Sequence, residues 1–261
     1  MTLFLPVSET SGIIYSGCIP KAFQERTMIF RVGIENNNDD RSIAWALDHP
    51  GCFAYGQDSQ EAQINFLTSA REYRAWIAKH EEPWLDEEVE VSLEETFDAY
   101  FITPAFERGE RGRGTYMVES FFLHDWKPLL PHEIERALKL LAWSRADLLS
   151  IAEGLDSDLR SRAHPNERWP IDGILQHIGG GEWFYQERIG YPYPEHEDDL
   201  PADPFERLHL VRDHFNSLLP KLDGVDHVVG LEGEIWSPRK ALRRALWHER
   251  DHTEHIRKLL G

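Results

Sequence analysis

From Met28 onward the chain changes its hydrophobic period several times, and each change marks an element. MIFRVGI is a β-branched, apolar run closed by the polar turn ENNNDD, which predicts a strand. SIAWALDHPGCFAYG predicts a second strand, a Pro-Gly corner and a short third strand. In SQEAQINFLTSAREYRAWIAKH the period becomes helical, with Ala62, Phe66, Leu67, Ala70, Tyr73 and Ile77 on one side and Ser59 or Asp58 as cap. EVEVSLEETFDAYFI alternates again and predicts a further strand. One helix packed on a small sheet is therefore expected, with extra strand-like character in TYMVESFFLHDW. Residues 1–27 carry no sustained period and read as an extension, with Met28 as a natural start. The Gly-rich ERGERGRG at 107–114 reads as an exposed, charged loop; its arginines would suit an anion, but solvation explains them as well.

Beyond Pro131 the pattern is helical throughout. HEIERALKLLAWSRADLLSIAEGL predicts a long amphipathic helix ended by Gly154, and IDGILQHIGGGEWFYQERIG a second. A Pro- and acid-rich connection, YPYPEHEDDLPADP, leads to FERLHLVRDHFNSLLPKL as the third. The fourth is SPRKALRRALWHERDHTEHIRKLLG, with Ser237 as N-cap and Pro238 at the first helical position. Four helices of this length with connecting loops pack naturally as a four-helix bundle. The fold class is thus α+β in two domains: an extension over 1–27, an α/β module over 28–130, and an all-α bundle over 131–261.

Chemistry concentrates in the bundle. His248 and His252 stand at i and i+4, one above the other on a helix, beside Ala241, Ala245, Ile256 and Leu259. His177 lies at the margin of the face carrying Ile174, Ile178, Gly181 and Tyr185. Three imidazoles from two packed helices can converge on one ion at metal–nitrogen distances of about 2.0–2.1 Å. Imidazole suits zinc or nickel first, then iron or copper, rather than magnesium or calcium. Three protein ligands leave a position open for water or substrate. Among 13 histidines an i,i+4 pair also arises by chance, so ligation and simple packing both remain open. His255 projects near the same face and could replace a ligand. His209 and His214 read as surface or packing residues. Glu182 and Glu249 could orient an imidazole or act as bases, and Arg243 and Arg244 could attract an anion; solvation is the simpler reading of all four. Gly179, Gly180 and Gly181 each cost roughly 1 kcal/mol relative to Ala inside a helix. They imply either a local distortion of no functional meaning, or close backbone approach or space left over the metal for a ligand.

Composition narrows the classes. A net charge of −18 argues against a general nucleic-acid binder, which needs a basic face against phosphates, and disfavours anionic lipid surfaces. No apolar run approaches the ~20 residues of a membrane span, and the N-terminus lacks the pattern of a secretory signal. Two cysteines, Cys18 and Cys52, are too few for a disulfide framework and fit a reducing cytoplasm. Cys52 reads as a small buried hydrophobe, since a reactive thiol needs an electropositive setting and only His49 is near.

WPIDGILQHIGGGEWFYQERI and WSPRKALRRALWHERDHTEHIRKLL resemble the DinB-like (YfiT-like) metal-binding bundle family, across essentially the whole region 131–261. In that family a His of the second helix and an HxxxH pair of the fourth bind the metal. The resemblance therefore assigns these roles to His177, His248 and His252; the glycine run is a departure from the family pattern. The strand, the DHPGCFAYG corner and the helix opening DSQEAQINF resemble the HicB-like antitoxin domain over roughly residues 28–80, without its DNA-binding helix-turn-helix. That resemblance implies a module for binding a protein partner or ligand.

Two functions follow from these likenesses. Some DinB-like proteins are thiol-dependent transferases or isomerases, which implies a small-molecule thiol at the open position of the metal. The alternative is a non-catalytic binding or regulatory protein whose metal staples the bundle. The bundle family also often forms homodimers. An open site beneath a pocket would favour catalysis, and a site closed by a fourth protein ligand such as His255 would favour structure.

Overall fold

The computed structural model describes residues 27–80, 88–102 and 116–261; the extension up to residue 26 and the charged stretch 107–114 lie outside the described residues. The N-terminal half forms β1 (Thr27–Asn38), β2 (Arg41–Ala46), β3 (Phe53–Gly56), α1 (Ser59–His80) and β4 (Glu88–Asp98). These make one sheet in the order β3-β2-β1-β4, with β2 antiparallel and β4 parallel to β1. The ENNNDD turn holds Asn37, Asp39 and Asp40 at φ of 60°, 50° and 62°, a left-handed conformation that Asn and Asp tolerate through local hydrogen bonds. Asp58 caps α1: its Oδ1 accepts from the backbone N–H groups of Gln60 and Glu61 at 2.9 Å each. The stretch expected as one final strand divides at Ala99. Its end, β5 (Tyr100–Ile102), leaves the sheet and pairs with β6 (Tyr116–Val118).

The C-terminal half comprises α2 (Pro131–Ala152), the short α3 (Ser157–Ser161), α4 (Ile171–Arg188), α5 (Pro204–Leu218), a hairpin of β7 (Val229–Leu231) and β8 (Glu234–Trp236), and α6 (Pro238–Leu260). Ser237 caps α6 by accepting from the Lys240 N–H at 3.2 Å, with Pro238 following as expected. Helix α4 packs on α5 and α6, and α6 on α2, giving the expected helical bundle. Helix α3 and the β7–β8 hairpin were not anticipated.

Pleat alternation divides the sheet. Phe30, Val32, Ile34, Ala44, Ala46 and Ala54 face α1, where Phe66, Tyr73 and Ile77 cover them. That core does not stop at Pro131. It runs without interruption through Leu129 into Ile134, Leu141, Tyr185, Phe215, Trp236 and Leu246 of the C-terminal half. Each large apolar side chain so buried contributes about 1.5–3 kcal/mol, so the sheet and the bundle stabilise one another. On the opposite face Ile43, Trp45, Leu47 and Phe122 meet Trp247 of α6. Phe122 packs against Gly33, where a Cβ would come within 2.7 Å of its ring. Among the described residues no helix is long and apolar enough to cross a membrane.

Candidate metal centre

Helix α6 turns its buried residues Leu242, Ala245, Leu246 and Ile256 toward the other helices, and this orientation carries His248 and His252 inward with them. Across the interface, α4 buries Ile174, Ile178 and Tyr185 and presents His177. The three expected residues come together. His177 Nε2 and His248 Nε2 are 3.0 Å apart, and one ring nitrogen from each histidine lies within 4.8 Å of the others. Nitrogens bound tetrahedrally at 2.0–2.1 Å would stand about 3.3 Å apart, so the cluster needs only small adjustments to enclose one ion. His252 Nδ1 is buried and makes no hydrogen bond among the described residues.

Protonation favours the same use. Burial, followed by the neighbouring rings of His252 and His177, holds His248 well below the ordinary histidine range. Burial and the nearby His177 push His252 down to about 4, and burial also lowers His177. All three rings are therefore neutral at physiological pH, the form that donates a lone pair.

The glycine run fits around this cluster. A Cβ at Gly181 would stand 2.6 Å from His248 Cε1, closer than side chains approach. A Cβ at Gly179 would meet the stem of Arg207 at 2.7 Å, whereas one at Gly180 would meet nothing within 4 Å. Helix α4 stays regular through the run, so close approach explains the two flanking glycines and distortion explains none. The open side at Gly180 belongs to a cleft of about 560 Å³ whose walls include His177, His248, Trp169, Phe184 and Arg207.

His255 is not part of the cluster: its Nε2 lies 3.0 Å from Glu167 Oε2 and its ring 6.0 Å from that of His252. Exposed His209 and half-buried His214 stand apart, the latter bonded to Gln186 at 2.7 Å and stacked on Tyr193, as packing residues do. Cys52 is buried, and burial pushes its thiol well above the ordinary range, as suits an inert small hydrophobe.

The charged residues depart most from expectation. Glu182 and Glu249 are not solvated. Each is at most 2% exposed, and both are ion-paired with Arg145 and Arg212. Arg212 reaches Glu182 at 2.6 and 2.9 Å and Glu249 at 3.0 Å, while Arg145 reaches Glu249 at 2.7 Å and Glu182 at 3.0 Å. Two carboxylates and two guanidiniums thus bind α2, α4, α5 and α6 at one point, with spare donors on the carbonyls of Leu141 and Leu208. Both glutamates are held in buried ion pairs, and neither lines the cleft.

Arg243 and Arg244 are likewise buried and not at a rim. Arg243 grips Asp125 at 2.6 and 2.8 Å, and Arg244 grips Glu35 at 2.8 and 2.9 Å and Glu119 at 2.9 Å. Glu35 also accepts from Asn38, Trp45 and Ser120. Lys240 holds Glu234 at 2.6 Å, and Glu234 accepts in turn from Tyr116 and from Trp236 at 2.9 Å. Sequence reasoning missed this network. Its available signal was a run of cations, Arg239 to Arg244, on a helix otherwise patterned for burial.

Part of the chain is similar to known proteins. The DinB superfamily matches residues 140–256. A solved structure, YfiT from Bacillus subtilis, described as "a probable metal-dependent hydrolase with an unusual four-helix bundle topology", is 18% identical with a TM-score of 0.40. The match covers 50% of this chain and 87% of that one. No curated protein matches the chain in sequence.

Proposed function

We propose, starting from a C-terminal region that is DinB-like, that His177, His248 and His252 hold one divalent ion at the floor of the cleft and that the protein is a thiol-dependent small-molecule transferase. The observation that carries this is the convergence of three neutral imidazoles, one with an unused buried nitrogen, beside an open cleft. The donor set suits zinc or nickel. Bound there, such an ion favours thiolate over thiol and so supplies a nucleophile near neutral pH.

The chain's own residues prepare the site. Gly181 lets His248 lie against α4, and Gly180 leaves the adjoining wall free of side chain. Trp169 and Phe184 give the cleft apolar walls, and Arg207, which donates to the Pro201 carbonyl at 2.8 Å, adds a positive charge to its lining. An electrophile with an apolar body and an anionic group suits that lining. The pairing of His255 with Glu167 removes the residue expected to close the site, which favours catalysis over a purely structural ion.

Two measurements test the reading. Chelator-treated protein reloaded with zinc is expected to take up one ion, and the His248→Ala, His252→Ala double variant none; equal content in both refutes the site. Transfer of small thiols to electrophiles by zinc-loaded protein is then expected. Tight zinc binding with no transfer across a broad panel would reject the transferase reading and leave the metal site standing.

A further inference from the structure

The cleft has a second wall, built from the N-terminal half. Tyr116, Met117 and Glu119 face His177, His248 and the glycine pair across it. Glu119 is held rigidly. Its N–H donates to Glu234 Oε1 at 3.1 Å, and its carbonyl accepts from Lys240 Nζ at 3.2 Å. Its carboxylate accepts from Arg244 Nη1 through Oε1 at 2.9 Å. Arg244 is one helical turn before His248 on α6, and the carboxylate it holds lines the same cleft as His177 and His248. Oε2 makes no hydrogen bond with a described residue, and the side chain, 20% exposed, is part of the cleft lining.

We propose that Glu119 is the group that takes up the proton shed by a thiol entering this cleft, an assignment that rests on the metal-centred reading above. The S–H bond breaks with its electron pair remaining on sulfur, and an O–H bond forms at Glu119 Oε2. The proton leaves again to the departing group or to solvent.

The surroundings suit the role. Burial and the nearby carboxylates of Glu35 and Glu234 push the Glu119 carboxyl above its ordinary range, against the pull of Arg244 and Lys240. Tyr185 of α4 and Tyr116 of β6 complete the groups around it, and Tyr116 is committed to Glu234. Glu182 and Glu249, the glutamates nearest the histidines in sequence, are ion-paired with Arg145 and Arg212, and neither lines the cleft. Among the described residues lining the cleft, the only other carboxylate is Glu197. The inference also gives a reason for the fusion of the two halves: the sheet side supplies a residue that the bundle lacks.

Calorimetry of 2-mercaptoethanol binding to zinc-loaded protein, in buffers of different ionisation heat, counts the protons released per thiol. Glu119→Gln is expected to release about one proton per thiol, the full amount for binding as thiolate. Wild type is expected to release clearly less, because Glu119 retains part of it, and Glu119→Asp is expected to resemble wild type. Glutamine still offers Arg244 an acceptor, and unchanged melting and zinc content would set a structural role aside. Equal proton release by wild type and both variants, with zinc and thiol bound in each, overturns the assignment of Glu119 alone. Wild type that binds zinc but no thiol, or no zinc, overturns the transferase reading and this assignment with it.

Discussion

Replacing Gly181 by alanine separates helix stability from ligand placement. An alanine in a helix interior is favoured over glycine by about 0.8–1 kcal/mol, so on propensity alone the substitution should raise stability. The added Cβ, however, would stand 2.6 Å from His248 Cε1 and 2.8 Å from Nδ1. Reaching ordinary contact requires the ring to retreat by about 0.8 Å. His248 has little room to do so. It is 6% exposed, its ring centroid is 4.7 Å from that of His177 and 6.0 Å from that of Tyr185, and Trp247 flanks it. Disturbing the support of a metal ligand commonly costs 10–100-fold in affinity, and Gly181→Ala should fall in that range. Gly180→Ala is the control, since its Cβ would meet nothing within 4 Å. It should gain about 1 kcal/mol in urea denaturation of the metal-free protein and keep zinc affinity. Competition with a chromophoric chelator measures both affinities. If Gly181→Ala binds zinc as tightly as Gly180→Ala and wild type, the close-approach account of the glycine run is refuted.

Other outcomes follow from the buried charges. Glu182→Ala leaves two buried guanidiniums, Arg145 and Arg212, sharing the single carboxylate of Glu249 and should cost about 3–5 kcal/mol, read by chemical denaturation; a loss below about 1 kcal/mol would show the quartet to be solvated. Burial alone would raise the Glu35 carboxyl, but Arg244 and the hydrogen bonds from Ser120 and Asn38 outweigh it and hold it below the ordinary carboxylate range. Its folded-state value is depressed, so its contribution is complete above the unfolded value, near 4.3 for a glutamate, and is lost as pH falls further. Glu35→Gln should flatten the stability–pH slope on that acid side and leave the slope near pH 7 unchanged. His255→Ala should leave zinc content untouched, because its partner is Glu167; a loss of zinc would make it a ligand after all. In a Cys18→Ser protein, buried Cys52 should react with a thiol reagent only on unfolding, and rapid native-state labelling would contradict its burial.

Much of the fold could be read from periodicity, because helices α1, α2, α4, α5 and α6 each carry an apolar stripe and β1 to β4 alternate or run apolar. Four elements escaped. Helix α3 is only five residues long, β5 is the tail of a continuous alternating run, and the β7–β8 strands have three residues each. The histidine cluster was legible because its members sit on the margins of stripes that must face inward. The charges misled, since a lone Arg or Glu on a helix is solvated more often than not. Arg145 is instructive: it falls on the same stripe as Leu141, Leu148 and Ala152, so its position already pointed inward. What no local pattern could supply is the partner, since Arg145 and Glu249 are 104 residues apart, and Arg244 and Glu35 are 209 apart. Glu119 was invisible for the same reason, its neighbours being set by tertiary packing.

The central claim is that His177, His248 and His252 bind one ion and leave a position open. X-ray absorption at the metal edge of zinc-loaded protein tests it most directly. The account predicts three imidazole nitrogens at about 2.0–2.1 Å and one further light-atom ligand, exchanged for sulfur at about 2.3 Å when a small thiol is added. A shell of four imidazoles, or a spectrum unaltered by thiol and retained in the His248→Ala, His252→Ala variant, would contradict it.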